Sequence, residues 1–300
     1  MNAEREFSDC RRAALRGGRY KHFLCWGLVL LGWMASLSFA DESATAGRQV
    51  LQRYQNAVIT VKLILKQGMS YNNQDSKTET KSETTGTIID PSGLTIISLS
   101  AIDPSGPMNE LFRMRSRSGS GAEMKYESEL TDIKLVLPDG IEIAAEVVLR
   151  DKDLDLAYIH PVEKPSSPLL AVDLAPDNSP QVLDPVVILS RLGQVANRMP
   201  TAALARVEAV VEKPRRCYVF AQGNWNYGLG SPVFSLEGRL IGVIVLRTLK
   251  SEGDAAGGGF LANPSVRGIM PIIVPTRSFL DGVKQALEAA KIPRPAAKGQ

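Results

Sequence analysis

Histidine and cysteine are scarce in this chain, with two histidines and three cysteines among 300 residues. His22, Cys10 and Cys25 precede residue 41, so the rest holds only His160 and Cys217. One residue of each kind cannot build a zinc-type cluster. A lone cysteine cannot close an internal disulfide, so the fold must stand on packing alone. Cys217 lies in the apolar run Cys217-Tyr218-Val219-Phe220 and reads as a core residue. No phosphate-binding loop or dinucleotide fingerprint is present. Asp151-Lys152-Asp153-Leu154-Asp155 starts like a calcium loop, but Leu156 and Ala157 follow where a glycine is needed. No metal and no cofactor are expected.

An excess of one charge is missing as well. Residues 1–40 carry six basic and three acidic side chains, which leaves 29 of each sign in the remainder. A neutral body gives no electrostatic case for nucleic acid. Hydrophobic residues make up 44% and charged residues 22%, values that argue against wholesale disorder. The length suits one large domain or two small ones with a real core.

Residues 1–40 read as a targeting segment. A basic stretch ends at Lys21, an apolar run covers Phe23 to Ala35, and small residues lead to Ser38-Phe39-Ala40 before Asp41. That is the pattern of an export signal with an A-x-A-like cleavage site. The apolar stretch to Ala40 is also close to the length that spans a bilayer, so an uncleaved anchor is the alternative. Either way the body is expected to be exported, to the periplasm, the cell envelope or the medium, with membrane contact only through an uncleaved segment.

The body reads as short strands separated by turns. Val58 to Leu65, Thr85 to Ile89, Leu94 to Leu99, Ile133 to Leu137 and Leu156 to Ile159 form a first set. Val186 to Leu189, Ala205 to Val211, Cys217 to Phe220, Pro232 to Phe234, Leu240 to Leu246 and Ile269 to Val274 form a second. Many short strands at even spacing indicate antiparallel barrels or sandwiches. The polar stretches 66–84 and 103–130, and Gly257-Gly258-Gly259, read as mobile surface loops. One long helix is expected near the end, capped by Thr276 and apolar along Phe279, Leu280, Val283 and Leu287. The organisation is then 1–40 signal, 50–165 first half, 175–291 second half with the helix, and 292–300 tail.

Three segments in order are similar to the trypsin-like serine peptidases, specifically the HtrA/Deg type. Thr85-Gly86-Thr87-Ile88-Ile89 through Ser100-Ala101-Ile102 resembles the family's segment around the catalytic histidine. Leu137-Pro138-Asp139-Gly140 through Asp155-Leu156-Ala157 resembles its hairpin and D-L-A. Gly228-Leu229-Gly230-Ser231-Pro232-Val233 through Gly238 to Val243 resembles its nucleophile segment. The resemblance covers roughly 50–290. It implies an all-β fold of two perpendicular six-stranded antiparallel barrels with a cleft between them, followed by a C-terminal α-helix.

Carried over position by position, the resemblance puts Ser100 where the histidine stands, Asp155 at the aspartate and Leu229 at the nucleophilic serine. Peptide hydrolysis by this fold needs an attacking oxygen, an imidazole to take its proton and a carboxylate to orient that imidazole. Only the aspartate remains. His160 follows Asp155 at an odd spacing, which on a strand sends the two side chains to opposite faces. The oxyanion turn is altered, with Tyr227 in the place of its first glycine, although Gly228 and Gly230 are nearby. A shifted register would offer Ser231, which reads better as a turn residue before Pro232. No lysine lies near Ser100 in either segment to form a dyad.

The leading expectation is therefore an exported protein of this fold that does not cut peptide. It would bind extended peptide or unfolded protein in the cleft, or a protein partner on 66–84 and 103–130. The alternatives are an active hydrolase centred on Ser100, Asp155 or Ser231, and an envelope-anchored structural protein held by an uncleaved segment.

Overall fold

The computed structural model describes residues 42–71, 74–115, 124–175, 179–220, 228–248 and 269–291. The expected targeting segment 1–40, the Gly257–Gly259 loop and the tail 292–300 lie outside them. The chain divides into units 1–45 and 46–300. Of the first, only 42–45 are described, and they are helical.

The second unit begins with helical residues 46–54 (α1). Six strands follow: β1 Val58–Tyr71, β2 Gln74–Ile88, β3 Thr95–Ser98, β4 Met124–Val136, β5 Glu142–Asp151 and β6 Leu156–Pro161. Two helices, α2 Leu99–Ile102 and α3 Ser105–Arg115, lie between β3 and β4. Six more strands come next: β7 Pro185–Arg191, β8 Pro200–Val211, β9 Cys217–Phe220, β10 Pro232–Phe234, β11 Leu240–Thr248 and β12 Ile269–Pro275. Helix α4, Thr276–Lys291, follows them. The strands close into two antiparallel barrels, in order β1-β2-β3-β6-β5-β4 and β10-β11-β12-β9-β8-β7.

Strand alternation decides which core each side chain enters. Ile97, Ala157 and Ile159 point into the first barrel with Ile59, Val61 and Leu135. Ile244 and Ile273 point into the second with Val186, Tyr218 and Phe220. The opposite rows, Ile96, Leu156, Tyr158, Val243, Val245 and Val274, share a third cluster with Val50 and Tyr54 of α1 and Phe279 and Val283 of α4. Strands buried on both faces read as unbroken apolar runs, which is why Leu156–Ile159 and Leu240–Leu246 show no polar alternation. Burying a side chain such as Phe279 contributes about 1.5–3 kcal/mol. Helix α4 sits close to β6 because Gly282 faces Tyr158, whose Oη would lie 2.4 Å from a Cβ there.

The structure corrects three expectations. Residues 66–84 are not a loop: β1 and β2 pair continuously from Val58↔Thr87 to Tyr71↔Gln74. Backbone pairing extends the barrel strands outward here, so no apolar alternation marks the arm, though Thr78, Thr80 and Thr84 are β-branched. Residues 103–130 contain α3 and the first half of β4 rather than a loop, with 116–123 outside the described residues. Helix α3 is held by Asn109, whose side chain donates to the Tyr126 carbonyl at 2.8 Å and accepts from its N–H at 2.7 Å. Thr276 does not cap α4 through its side chain. Its hydroxyl donates to the Leu240 carbonyl at 3.1 Å, which ties the helix start to β11.

Candidate functional site

The Asp151 carboxylate accepts the N–H groups of Asp153 and Leu154, each at 3.0 Å, and so shapes the turn that delivers Asp155. The alternating aspartates are thus part of a turn. Among the described residues, no three His, Cys, Asp or Glu side chains gather as metal ligands. Asp155 has φ +55°, a left-handed conformation that aspartate tolerates better than most residues.

The Asp155 carboxylate joins the two barrels. Oδ1 accepts from the Ser100 backbone N–H at 2.8 Å and the Ser100 hydroxyl at 2.6 Å. Oδ2 accepts from the Ser98 hydroxyl at 2.5 Å and from the Leu246 N–H of β11 at 2.9 Å. The Asp155 carbonyl also accepts from the Leu99 N–H and starts α2. Burial pushes the Asp155 carboxyl above the usual carboxylate range, against the opposing pull of Ser100, Ser98 and Leu246. His160 is not among these partners. Its Nδ1 lies 2.8 Å from the Pro161 carbonyl oxygen, on the far part of β6.

Across from β2 lies the turn that carries Leu229. Thr84 donates to the Leu229 carbonyl at 3.1 Å, and Thr87 donates to the Gly230 carbonyl at 2.9 Å. The Thr85 and Ser190 hydroxyls meet at 3.2 Å. Gly230 has φ +90°, and a Cβ there would come 2.1 Å from the Thr85 carbonyl oxygen, so only glycine fits. Gly228 packs against Thr85 in the same way, with a would-be Cβ 2.7 Å from Oγ1. Tyr227 lies outside the described residues. Ser231 is fully buried, and its Oγ has no hydrogen-bond partner among the described residues.

Between the barrels is a cleft of about 350 Å³ lined by Leu63, Ser82–Thr85, Ala101, Leu192, Gly193 and Leu229, among others. Arg191 forms one wall, and its guanidinium is spent on backbone: Nε donates to the Val58 carbonyl at 2.5 Å, Nη2 to Gln55 at 2.9 Å and Nη1 to Arg198 at 3.0 Å. Burial holds its pKa below the usual guanidinium value. Glu83 is paired with Arg198. The cleft is therefore lined by hydroxyls and aliphatic carbon, and its charges are already partnered.

Ser100 and Asp155 come together in this arrangement, whereas Leu229 lines the cleft with Ala101, and neither Ser100 nor Asp155 is among the residues that line it. Sequence reasoning missed Ser98, Leu246, Arg191 and the Thr84/Thr85/Thr87 row. The clustered threonines were a usable signal; a backbone N–H such as that of Leu246 leaves none.

A family model described as trypsin-like peptidase domain matches residues 84–243, more than half of the chain. No curated protein matches it.

Proposed function

Because the chain belongs to the trypsin-like peptidase domain family, we propose that it is an exported member that holds extended peptide in its inter-barrel cleft without cutting it. The carrying observation is the state of the centre. The Ser100 hydroxyl is committed to Asp155, and the resemblance sets Ser100 at the histidine's place and Leu229, a hydrocarbon, at the nucleophile's. A serine hydroxyl is far too weak a base to take a proton at neutral pH, so Ser100 does not replace a histidine. The cleft persists nonetheless, and the charged groups among its described lining residues, Glu83 and Arg191, are both partnered, which suits a neutral, extended backbone. Export rests on the segment up to Ala40.

Two measurements test this reading. A fluorophosphonate probe should leave the protein unlabelled and casein should stay intact; labelling lost in Ser231→Ala would overturn it. Titration calorimetry against a library of unfolded peptides should detect binding. Gly193→Trp should weaken it, because Gly193 lines the cleft and nothing lies within 4 Å of a Cβ there, so a bulky side chain has room at the cleft wall. Binding unchanged in Gly193→Trp would remove the cleft from the account. N-terminal sequencing of the exported form tests the signal: a start at Asp41 means cleavage, and an intact segment means an anchor.

A further inference from the structure

The arm formed by β1, β2 and β4 has two outer edges, and they are treated differently. The β4 edge is capped at Tyr126 by the Asn109 side chain, which takes both backbone groups of that residue. The β2 edge carries no such cap. Strand β2 meets β3 only at Thr87↔Ile96 and Ile88↔Thr95. From Glu83 onward the second barrel covers it, through Arg198 on Glu83, Leu229 on Thr84 and Ser190 on Thr85. Residues 75–82 have no strand beside them on that side among the described residues.

An unpaired edge row of N–H and C=O groups is a template for another strand. What distinguishes this one is its side chains. One face of β2 presents Asp75, Lys77, Glu79, Lys81 and Glu83, alternating in sign at every step along the face. Glu83 is paired with Arg198, whereas Asp75, Lys77, Glu79 and Lys81 take no ion-pair partner among the described residues. Glu79 lies opposite Lys66 in register without forming a bridge. The first four are exposed.

We infer that residues 75–81 of β2 pair antiparallel with the same residues of a second copy of this chain. A two-fold axis through Thr78 sets Asp75 opposite the partner's Lys81 and Lys77 opposite the partner's Glu79, and symmetry repeats both contacts. All four charged contacts then join unlike signs on one face, and Thr78 meets its own copy on the other. Moving the axis to Glu79 sets Lys77 against Lys81 and Asp75 against Glu83, so that register is repelled. Moving it to Thr80 calls on Glu83, which Arg198 already holds. A one-residue slip sets the charged row beside the partner's hydroxyl row. The contact is small, so the dimer is weak and reversible, with a dissociation constant on the order of 100 µM.

Sedimentation velocity of the full chain over a concentration series tests this. The wild type should pass from monomer to dimer, and 0.5 M salt should weaken the dimer about tenfold by screening the exposed pairs. The double variants Lys77→Glu/Lys81→Glu and Asp75→Lys/Glu79→Lys should each stay monomeric with unchanged circular dichroism, and an equimolar mixture should dimerise again. On a Cys10→Ser/Cys25→Ser background, oxidation should cross-link Thr78→Cys at least tenfold faster than Ser76→Cys. A monomeric wild type at 1 mM, self-association indifferent to the charge swaps, failure of the mixture to re-form dimers, or equal cross-linking at 76 and 78 would each overturn the inference.

Discussion

At the residue scale, Asp155 is a carboxylate with every lone-pair position occupied. Two of its donors are hydroxyls that can turn, and two are backbone N–H groups of Ser100 and Leu246 that cannot. Asp155→Asn keeps the backbone shape but points an amide N–H at one fixed donor, at a cost of roughly 1–3 kcal/mol in urea denaturation. The pH dependence follows from the raised folded value. The folded carboxyl keeps its proton to higher pH than the unfolded one, so its contribution is fully present below the ordinary carboxylate range and is lost as pH rises through the folded value. The margin of the wild type over Asp155→Asn should therefore narrow as pH rises above the ordinary carboxylate range, as measured from urea midpoints at several pH values. Asp103 behaves oppositely. Burial raises its pKa, but the hydroxyls of Ser105 and Ser128, the Ser105 N–H and the charge of Arg150 together bring it below the usual range, so its contribution is lost toward acid. Ser231 gives the simplest test. Its buried hydroxyl has no partner among the described residues, so Ser231→Ala should stabilise the protein by about 1 kcal/mol in thermal or urea unfolding.

At the scale of elements, Arg191 at the end of β7 binds the turn after α1, the start of β1 and the β7–β8 connection through three carbonyls. Arg191→Met keeps the aliphatic bulk and removes every donor, so unfolding free energy should fall by roughly 2–3 kcal/mol. Arg191→Lys should recover only part of this, because an ammonium cannot span three carbonyls spread around a planar fork. The connection it braces contains Leu192 and Gly193 on the cleft wall, so peptide affinity should weaken along with stability. The β1–β2 arm shows another rule for elements. Its strands exist because the barrel strands continue past the barrel, and pairing rather than core burial holds them there.

At the scale of the whole molecule, the two barrels share one cluster that neither can bury alone. Ile96 and Tyr158 from the first barrel, Val243 and Val274 from the second, and α1 and α4 all contribute to it. Tyr54 of α1 stacks on Phe234 of β10 with ring centroids 4.8 Å apart. Residues 46–300 should therefore unfold as one cooperative unit, with calorimetric and van't Hoff enthalpies in agreement. Two separated transitions would show that the seam is weaker than its contacts imply.

The barrels were legible before any coordinates, because short apolar strands at even spacing admit few other packings and the three family-like segments stand in order. Ser100, Asp155 and Leu229 were singled out from the same three segments, Asp155 through the run Asp155-Leu156-Ala157 and Leu229 through its place between Gly228 and Gly230. The β1–β2 arm and α3 were not legible. A strand or helix solvated on one side needs no apolar pattern, and its existence depends on what it pairs with far along the chain. The sequence by itself determined that residues 41–300 hold one cysteine and 29 charges of each sign, so that this part closes no disulfide of its own and is neutral, because cysteine and charge are counted along the chain without knowing how it folds. Tertiary structure alone decided that Asp155 would take an N–H from Leu246, that Arg191 would be consumed by carbonyls and that the Ser231 hydroxyl would be buried without a partner among the described residues. Hydrogen bonds between residues about a hundred positions apart depend on which backbone groups the two barrels bring face to face, and a backbone group has the same chemistry at every residue.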